Sequence, residues 1–365
     1  MIEKITVKNF RCYGNTTIQG FKRINLIGGL NNSGKTVLLE AILLNSSPTT
    51  QNIAMLKQLR GEEMNTNELP EYAWDNFFIN QNKTQNISIS TTHSDSKEVV
   101  MIIGCNEEAD DFKQLDNEDS ENDNLQVVIN DFVNNDKILK SVLHFKYKID
   151  GMDVPVLAAM AHKKGYNFKE LNVPPYKSAN YIPASSRRKP SLLARDFGIA
   201  EKRGKDDAVL NALKIVDKNI EAIKVSVVGG AHLEIKRKGG SYMPISLFGD
   251  AINKILNIVL TIINNNGSII LIDEIENGIH HSVQKDFWKF MFQLATNELF
   301  DVQIFSTTHS LEMMQAFLDT SEDFKDASAY FELYRREITG EIDYNLHDIE
   351  TLFFELSNKL AVRGE

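Results

Sequence analysis

Eight consecutive residues, Gly29-Leu30-Asn31-Asn32-Ser33-Gly34-Lys35-Thr36, restrict what this chain can fold into more than any other stretch. They follow the apolar run 24–27 and precede the helix-like Val37-Leu38-Leu39-Glu40-Ala41-Ile42. A glycine-rich turn between strand and helix that closes on Lys-Thr is a P-loop, whose main-chain N–H groups converge on a phosphate. The helix beginning near Lys35 adds its positive N-terminal end. Asn31, Asn32, Ser33 and Gly34 are therefore expected around the phosphates, Lys35 on the β- and γ-oxygens, and the Thr36 hydroxyl on Mg²⁺. The motif predicts binding of a nucleoside triphosphate. It reads phosphates and not the base, so GTP stands beside ATP.

With 365 residues, 42% hydrophobic and 25% charged, the chain is long enough for one large or two ordinary domains. Met1-Ile2-Glu3-Lys4-Ile5 lacks the basic and apolar regions of a signal peptide. The longest apolar stretch, 255–263, is too short to span a bilayer. These features predict a cytoplasmic protein with no membrane partner. Cys12 and Cys105 are the only cysteines, which permits at most one disulfide and no four-cysteine zinc site. The net charge of −10 argues against tight nonspecific DNA binding by the whole chain. Local basic clusters stand at 187–205 and at Lys236-Arg237-Lys238, either solvated faces or a nucleic-acid or partner surface.

Short strands are expected around Ile5 and Val7, at Thr17-Ile18 and at 24–27, then a helix over about 35–44 and a mixed, mostly helical stretch over 51–81. Residues 87–90, 99–103 and 142–149 alternate as strands of a peripheral sheet. Between them, 106–124 holds nine carboxylates against Lys113 alone, an acidic insertion whose composition does not favour a packed core. A metal-dependent nuclease site from these carboxylates is a weaker reading, since no framing strands accompany them. Further on, 225–228 and 232–235 form a hairpin pattern. A helix over 250–263 leads to the continuous apolar strand 268–272, and a helix containing 287–294 leads to a second such strand, 302–306. Strands and helices alternating around a P-loop indicate a three-layer α/β fold with a mostly parallel sheet. No repeat and no heptad run is present, which excludes long coiled-coil arms.

Asp273-Glu274 closes the strand 268–272, at the end where open α/β sheets present residues to ligands. This is a Walker B pair: Asp273 would hold Mg²⁺, and Glu274 would orient or deprotonate the attacking water. Thr307-Thr308-His309-Ser310 closes the next strand. A histidine there can donate a hydrogen bond to the γ-phosphate, as a switch residue. The competing reading is a helix-capping Thr/Ser beside a satisfied core histidine.

P-loop, strand-Asp-Glu and strand-Thr-His-Ser in this order resemble the ABC-type ATPase heads of the SMC and RecF class. The likeness is closer still to the bacterial OLD-family ATPases (overcoming lysogenization defect). Asn9-Phe10-Arg11-Cys12-Tyr13 looks like the N-terminal element of that class, whose basic residue, here Arg11, lies near the nucleotide. Ser246-Leu247-Phe248-Gly249-Asp250 resembles the signature element, from which Phe248 and Ala251 depart. Glu276-Asn277-Gly278-Ile279-His280 resembles the segment equivalent in place to the D-loop. A zinc site from His280 and His281 is the rival, disfavoured because adjacent histidines on one turn diverge.

The resemblance implies an α/β P-loop ATPase of ABC type with a peripheral antiparallel sheet. Residues 1–100 would form an N-terminal lobe, 101–180 the inserted strands and acidic loop, and 181–365 the C-terminal lobe. In this class Ser246 and Gly249 contact the γ-phosphate bound by a second subunit, so an ATP-dependent homodimer with two composite sites is implied. Gln81 is the candidate glutamine lid residue. OLD nucleases carry a Toprim domain after the ATPase; only 365 − 309 = 56 residues follow His309, too few for one. The resemblance thus implies a stand-alone ATPase that acts as sensor or scaffold for a separate effector, such as a Toprim nuclease, in anti-phage defence. The alternative is a RecF-like DNA-binding ATPase in repair. A transporter motor is disfavoured, because nothing resembles a membrane-coupling partner.

Overall fold

The computed structural model describes residues 1–62, 69–106, 141–162, 165–169, 175–185, 187–349 and 351–352. The chain divides into two compact units. The first comprises Met1–Lys4, Gln19–Ser46 and Lys177–Glu365, the second Ile5–Ile18 and Ser47–Tyr176.

The second unit is built on an antiparallel sheet. Its strands β1 (Ile2–Phe10), β2 (Tyr13–Gln19), β4 (Ile87–His93), β5 (Glu98–Asn106), β6 (Ser141–Ile149), β7 (Met152–His162) and β8 (Gly165–Lys169) lie in the order β2-β1-β4-β5-β6-β7-β8. Strict alternation in β4, where Ile87, Ile89, Thr91 and His93 are buried and the residues between them are not, is what a half-buried strand requires. The expected strands at 87–90, 99–103 and 142–149 are therefore present and longer. The helical expectation for 51–81 holds only for α2 (Thr50–Leu59), which Thr49 caps by accepting from the Asn52 N–H. Short 3-10 turns follow at Pro70–Tyr72, Asp75–Phe77 and Ile79–Gln81. Proline at the first turn and left-handed φ values at Asn80 and Gln81 break the period there, and the buried Trp74 and Phe77 anchor the segment instead. Residues 107–124 of the acidic insertion lie outside the described residues.

The first unit carries the sheet that matters for function. β3 (Ile24–Gly28), β9 (Ala179–Ile182), β13 (Ile269–Ile272), β14 (Gln303–Thr307), β15 (Ser328–Arg335) and β16 (Ile342–His347) take the order β16-β15-β3-β14-β13-β9. All neighbours run parallel except β16, which pairs antiparallel with β15 at the edge. Every residue of β3, β13 and β14 is buried. Each large aliphatic side chain in them contributes about 1.5–3 kcal/mol by leaving water, which is why strands of four or five residues hold their place. Helix α1 (Lys35–Ser46) packs on β9, β13 and β14, and α5 (Asp250–Asn264) on β13 and β9. Helices α3 (Pro190–Lys202), α4 (Asp206–Val216), α6 (His281–Ala295) and α7 (Leu311–Ser321) complete the apolar core with α5. A small antiparallel sheet of β10 (Ile220–Ser226), β11 (His232–Arg237) and β12 (Tyr242–Pro244) contains the expected hairpin, with Ser226 opposite His232. The class is the expected one: a mixed α/β P-loop fold with antiparallel sheets.

β3, β14 and β13 are adjacent and parallel, with Ile27 opposite Thr307 and Ser306 opposite Ile272. Their C-terminal ends therefore come off one sheet edge side by side. At the end of β3 the chain turns sharply: Gly29 has φ +127°, and a Cβ there would stand 2.1 Å from the Leu333 carbonyl oxygen. Gly29→Ala is thus expected to lower stability by about 2–4 kcal/mol through strain and displacement of β15, read as a lower denaturant midpoint. An unchanged midpoint would show that the loop relaxes freely.

Candidate functional site

The loop between β3 and α1 curls through left-handed conformations at Gly29, Asn32 and Gly34. Alternation of this kind turns successive N–H groups into a concavity for an anion, at the N-terminus of α1. The Ser33 hydroxyl oxygen is buried with no hydrogen-bond partner among the described residues. Lys35 folds back along the loop, its Nζ donating to the Gly29 and Leu30 carbonyls at 2.8 Å each. Burial pulls the Lys35 ammonium below its usual range, while Glu276, Asp273 and Glu274 push it back up.

Asp273 is the hub of the acidic side. Its Oδ1 accepts from Thr36 Oγ1 at 3.0 Å and from Thr307 Oγ1 at 2.6 Å, and its Oδ2 from the Tyr181 hydroxyl at 3.3 Å. The main-chain oxygen of Asp273 accepts a hydrogen bond from Lys254 Nζ at 3.2 Å. Burial also lowers the Lys254 ammonium, against the pull of Asp273, Glu276 and Glu274. Thr36 and Asp273, the two expected cation ligands, thus stand within hydrogen-bond distance of each other. A hydroxyl and a carboxylate suit a hard cation that completes its shell with phosphate oxygens and water. Among the described residues no group of three His, Cys, Asp or Glu side chains has metal-binding geometry, His280 and His281 included. His280 instead caps α6, its Nδ1 accepting from the Ser282 N–H.

Glu274 adopts a left-handed φ of 44°, a conformation costing on the order of 1–3 kcal/mol unless held in place. Two contacts hold it: its N–H donates to Thr307 Oγ1 at 2.8 Å, and Asn277 Nδ2 donates to its Oε2 at 2.6 Å. The Thr307 hydroxyl therefore serves both members of the Walker B pair. Thr307→Val, which keeps shape and β-branching, is expected to cost about 2–4 kcal/mol at this site, one charged and one neutral hydrogen bond. Hydrolysis rates followed against Mg²⁺ concentration would read this as a raised metal requirement; an unchanged titration would remove Thr307 from the site.

His309 follows β14, its main chain pinned by Thr308 N–H to the Ile27 carbonyl at 3.0 Å. It lines a pocket with Gly28, Gly29, Leu30 and Asn31. Ser310 caps α7 by accepting from the Met313 N–H. The serine is therefore a helix cap, and the histidine is exposed beside the P-loop, not buried in the core.

Ser246 is exposed in the 3-10 turn Ile245–Leu247, and Gly249 is the N-cap of α5, without a side-chain cap. Phe248, where the sequence departs from the signature pattern, is buried in the core beneath the Arg237 guanidinium, 4.9 Å from its ring centroid. Arg187 pairs with Asp250. A Cβ at Gly278, whose φ is +80°, would stand 3.0 Å from the Asp250 Cβ, so the start of α5 packs directly on the segment after Walker B.

Arg11 and Gln81 belong to the second unit. The Arg11 guanidinium lies over the Phe10 and Phe77 rings, 5.6 and 5.2 Å from their centroids. Gln81 ends a 3-10 turn with φ +59°. Sequence reasoning assigned no role to Tyr181, Lys254 or Asn277, nor to the side chain of Thr307. Thr307 and Asn277 stood inside quoted motifs. Tyr181 gave no signal, because only the pairing of β9 with β13 brings it to Asp273.

Comparison with known proteins agrees with this geometry. Residues 4–172 match a family described as AAA domain, and residues 167–314 one described as AAA ATPase domain. A Helicobacter pylori protein named ATP/GTP phosphatase is 28% identical, over 97% of this chain and all of its own length. Among solved structures, the SMC head domain from Thermotoga maritima aligns with a TM-score of 0.48 at 11% identity, over 95% of this chain and 99% of its own. An Smc head domain derived from Pyrococcus furiosus and bound to the C-terminal domain of ScpA aligns with the same TM-score and identity, over 99% of each chain. These likenesses support ATPase activity: the chain is an ATPase with matches to AAA-type domains. No helix among the described residues is long and apolar enough to cross a membrane.

Proposed function

We propose that this ATPase is an OLD-type head that dimerises on ATP and holds a separate effector protein, a Toprim nuclease or another toxic enzyme, as the sensor or scaffold of an anti-phage system in the cytoplasm. The observation that carries the reading is the junction of three strand ends of one sheet, where the P-loop, Asp273-Glu274 and His309 meet; Ser246 is exposed and Gly249 starts α5 without a side-chain cap. In this reading Asn31, Asn32, Ser33, Gly34 and Lys35 bind the triphosphate. Thr36 and Asp273 hold Mg²⁺, which neutralises charge on the phosphates. Glu274 prepares the attacking water, and His309 contacts the γ-phosphate. Ser246 and Gly249 of one protomer reach the nucleotide of its partner. A triphosphate held from both sides favours the closed dimer, and hydrolysis reopens it.

The basic clusters support an effector-holding role over a DNA clamp. Arg187 pairs with Asp250, Arg188 and Arg195 with Asp196, Lys236 with Glu221 and Arg237 with Asp217. Cations engaged in this way offer little free charge to a phosphate backbone.

Mass spectrometry of what co-purifies with tagged Glu274→Gln protein from its native host tests the proposal. A stoichiometric nuclease or toxin-like neighbour is the expected result. DNA together with repair proteins, and no such neighbour, would replace it with the clamp.

A further inference from the structure

Glu276 lies outside the Walker B pair, yet it is the more completely enclosed partner of the histidine. Its side chain is 9% exposed, against 48% for His309. One oxygen, Oε1, accepts from the His309 main-chain N–H at 2.9 Å and stands 3.0 Å from its ring Nδ1. The other, Oε2, is buried with no hydrogen-bond partner among the described residues. A carboxylate placed this way costs desolvation that a purely structural role would meet with donors on both oxygens.

The double contact has a chemical consequence. An ionised carboxylate only accepts, so its approach to 3.0 Å favours the neutral His309 ring that carries its proton on Nδ1. Nε2 is then the bare nitrogen, able to accept from water or, once protonated, to donate to an anion. The main-chain hydrogen bond and the close approach of Nδ1 to the same oxygen also restrict the ring. A carboxylate that orients an imidazole and sets its tautomer in this manner acts without touching substrate.

We propose that Glu276 is the positioning residue for His309, holding the tautomer and the ring orientation in which Nε2 faces the nucleotide. This rests on His309 acting at the γ-phosphate, as argued above.

Steady-state ATP hydrolysis and ATP affinity of the full chain test it in wild type, Glu276→Ala, His309→Ala and the double variant. Glu276→Ala is expected to lower kcat about 10- to 100-fold while KM and ATP affinity stay within about twofold. The double variant should be no slower than His309→Ala, because both changes remove one function. Glu276→Gln, whose amide oxygen still accepts, should recover much of the rate. Ring ¹⁵N shifts of His309 in the wild-type protein at about pH 8.5 should show a proton on Nδ1, a signature that a merely structural glutamate would not impose. A proton on Nε2 instead, wild-type kcat in Glu276→Ala, or a double variant slowed by the product of the single effects overturns the proposal. A fast His309→Ala removes the underlying role of the histidine, whereas a slow His309→Ala beside a fast Glu276→Ala removes Glu276 alone. The ring shifts decide the matter if Glu276→Ala does not fold.

Discussion

Lys35→Ala is expected to raise the dissociation constant for ATP by at least about 100-fold, close to complete loss at millimolar nucleotide. Two charge-assisted hydrogen bonds to phosphate, each worth about 1.5–3 kcal/mol, account for most of that change. The surroundings add to it. Glu276, Asp273 and Glu274 all act on the Lys35 ammonium. Without the lysine, a triphosphate would approach three carboxylates with no facing cation. The loop changes too, because Lys35 Nζ bridges the Gly29 and Leu30 carbonyls. Those carbonyls compete with phosphate oxygens for the same protons, so binding must redirect the side chain. Titration with a fluorescent ATP analogue reads the effect, with the melting temperature as the control for folding. A well-folded variant that binds within about threefold of wild type would show that main-chain N–H groups and the start of α1 suffice.

Much of this site is legible in the sequence because its pieces are local. A P-loop is eight consecutive residues whose glycines mark the left-handed turns, as the φ values at Gly29 and Gly34 bear out. Asp273-Glu274 follows four buried apolar residues, and Thr307-Thr308-His309 closes a buried strand that contains Ile304 and Phe305, which makes the strands and their ends visible together. What the sequence hides is adjacency. The order β3-β14-β13 comes from pairing between segments some 30 to 280 residues apart, and only that order puts Thr307 on Asp273 and Tyr181 on its other oxygen. β9 escapes notice for the same reason, being four residues before a proline whose stability derives from β13. Helix α3 is missed because its segment reads as a basic surface, and α4 received no reading, whereas Leu193, Phe197, Val209 and Leu213 give each helix a buried face. The stretch 51–81, expected to be mostly helical, errs in the opposite direction: beyond α2 its described residues form short 3-10 turns anchored by the buried Trp74 and Phe77.

Glu274→Gln is expected to slow hydrolysis about 10²- to 10³-fold while ATP binding is kept, and to accumulate an ATP-bound dimer. The amide is isosteric and can still offer its oxygen to Asn277 Nδ2, and the main-chain bond to Thr307 Oγ1 is untouched, so the left-handed turn at 274 should persist. What is lost is a group able to take a proton from water. If hydrolysis is what reopens the closed state, blocking it leaves ligand binding free to pull the equilibrium toward the dimer, by RT ln(1 + [L]/Kd) for each site that requires both protomers. Exposed Ser246 and the uncapped Gly249 predict where the second protomer contributes, so Ser246→Arg placed on Glu274→Gln should return the protein to monomer without reducing nucleotide affinity in that monomer. Light scattering with ATP, with ADP and without nucleotide distinguishes the outcomes. A dimer formed equally in all three conditions would separate assembly from the nucleotide cycle, and a Glu274→Gln protein that hydrolyses at the wild-type rate would remove Glu274 as the base.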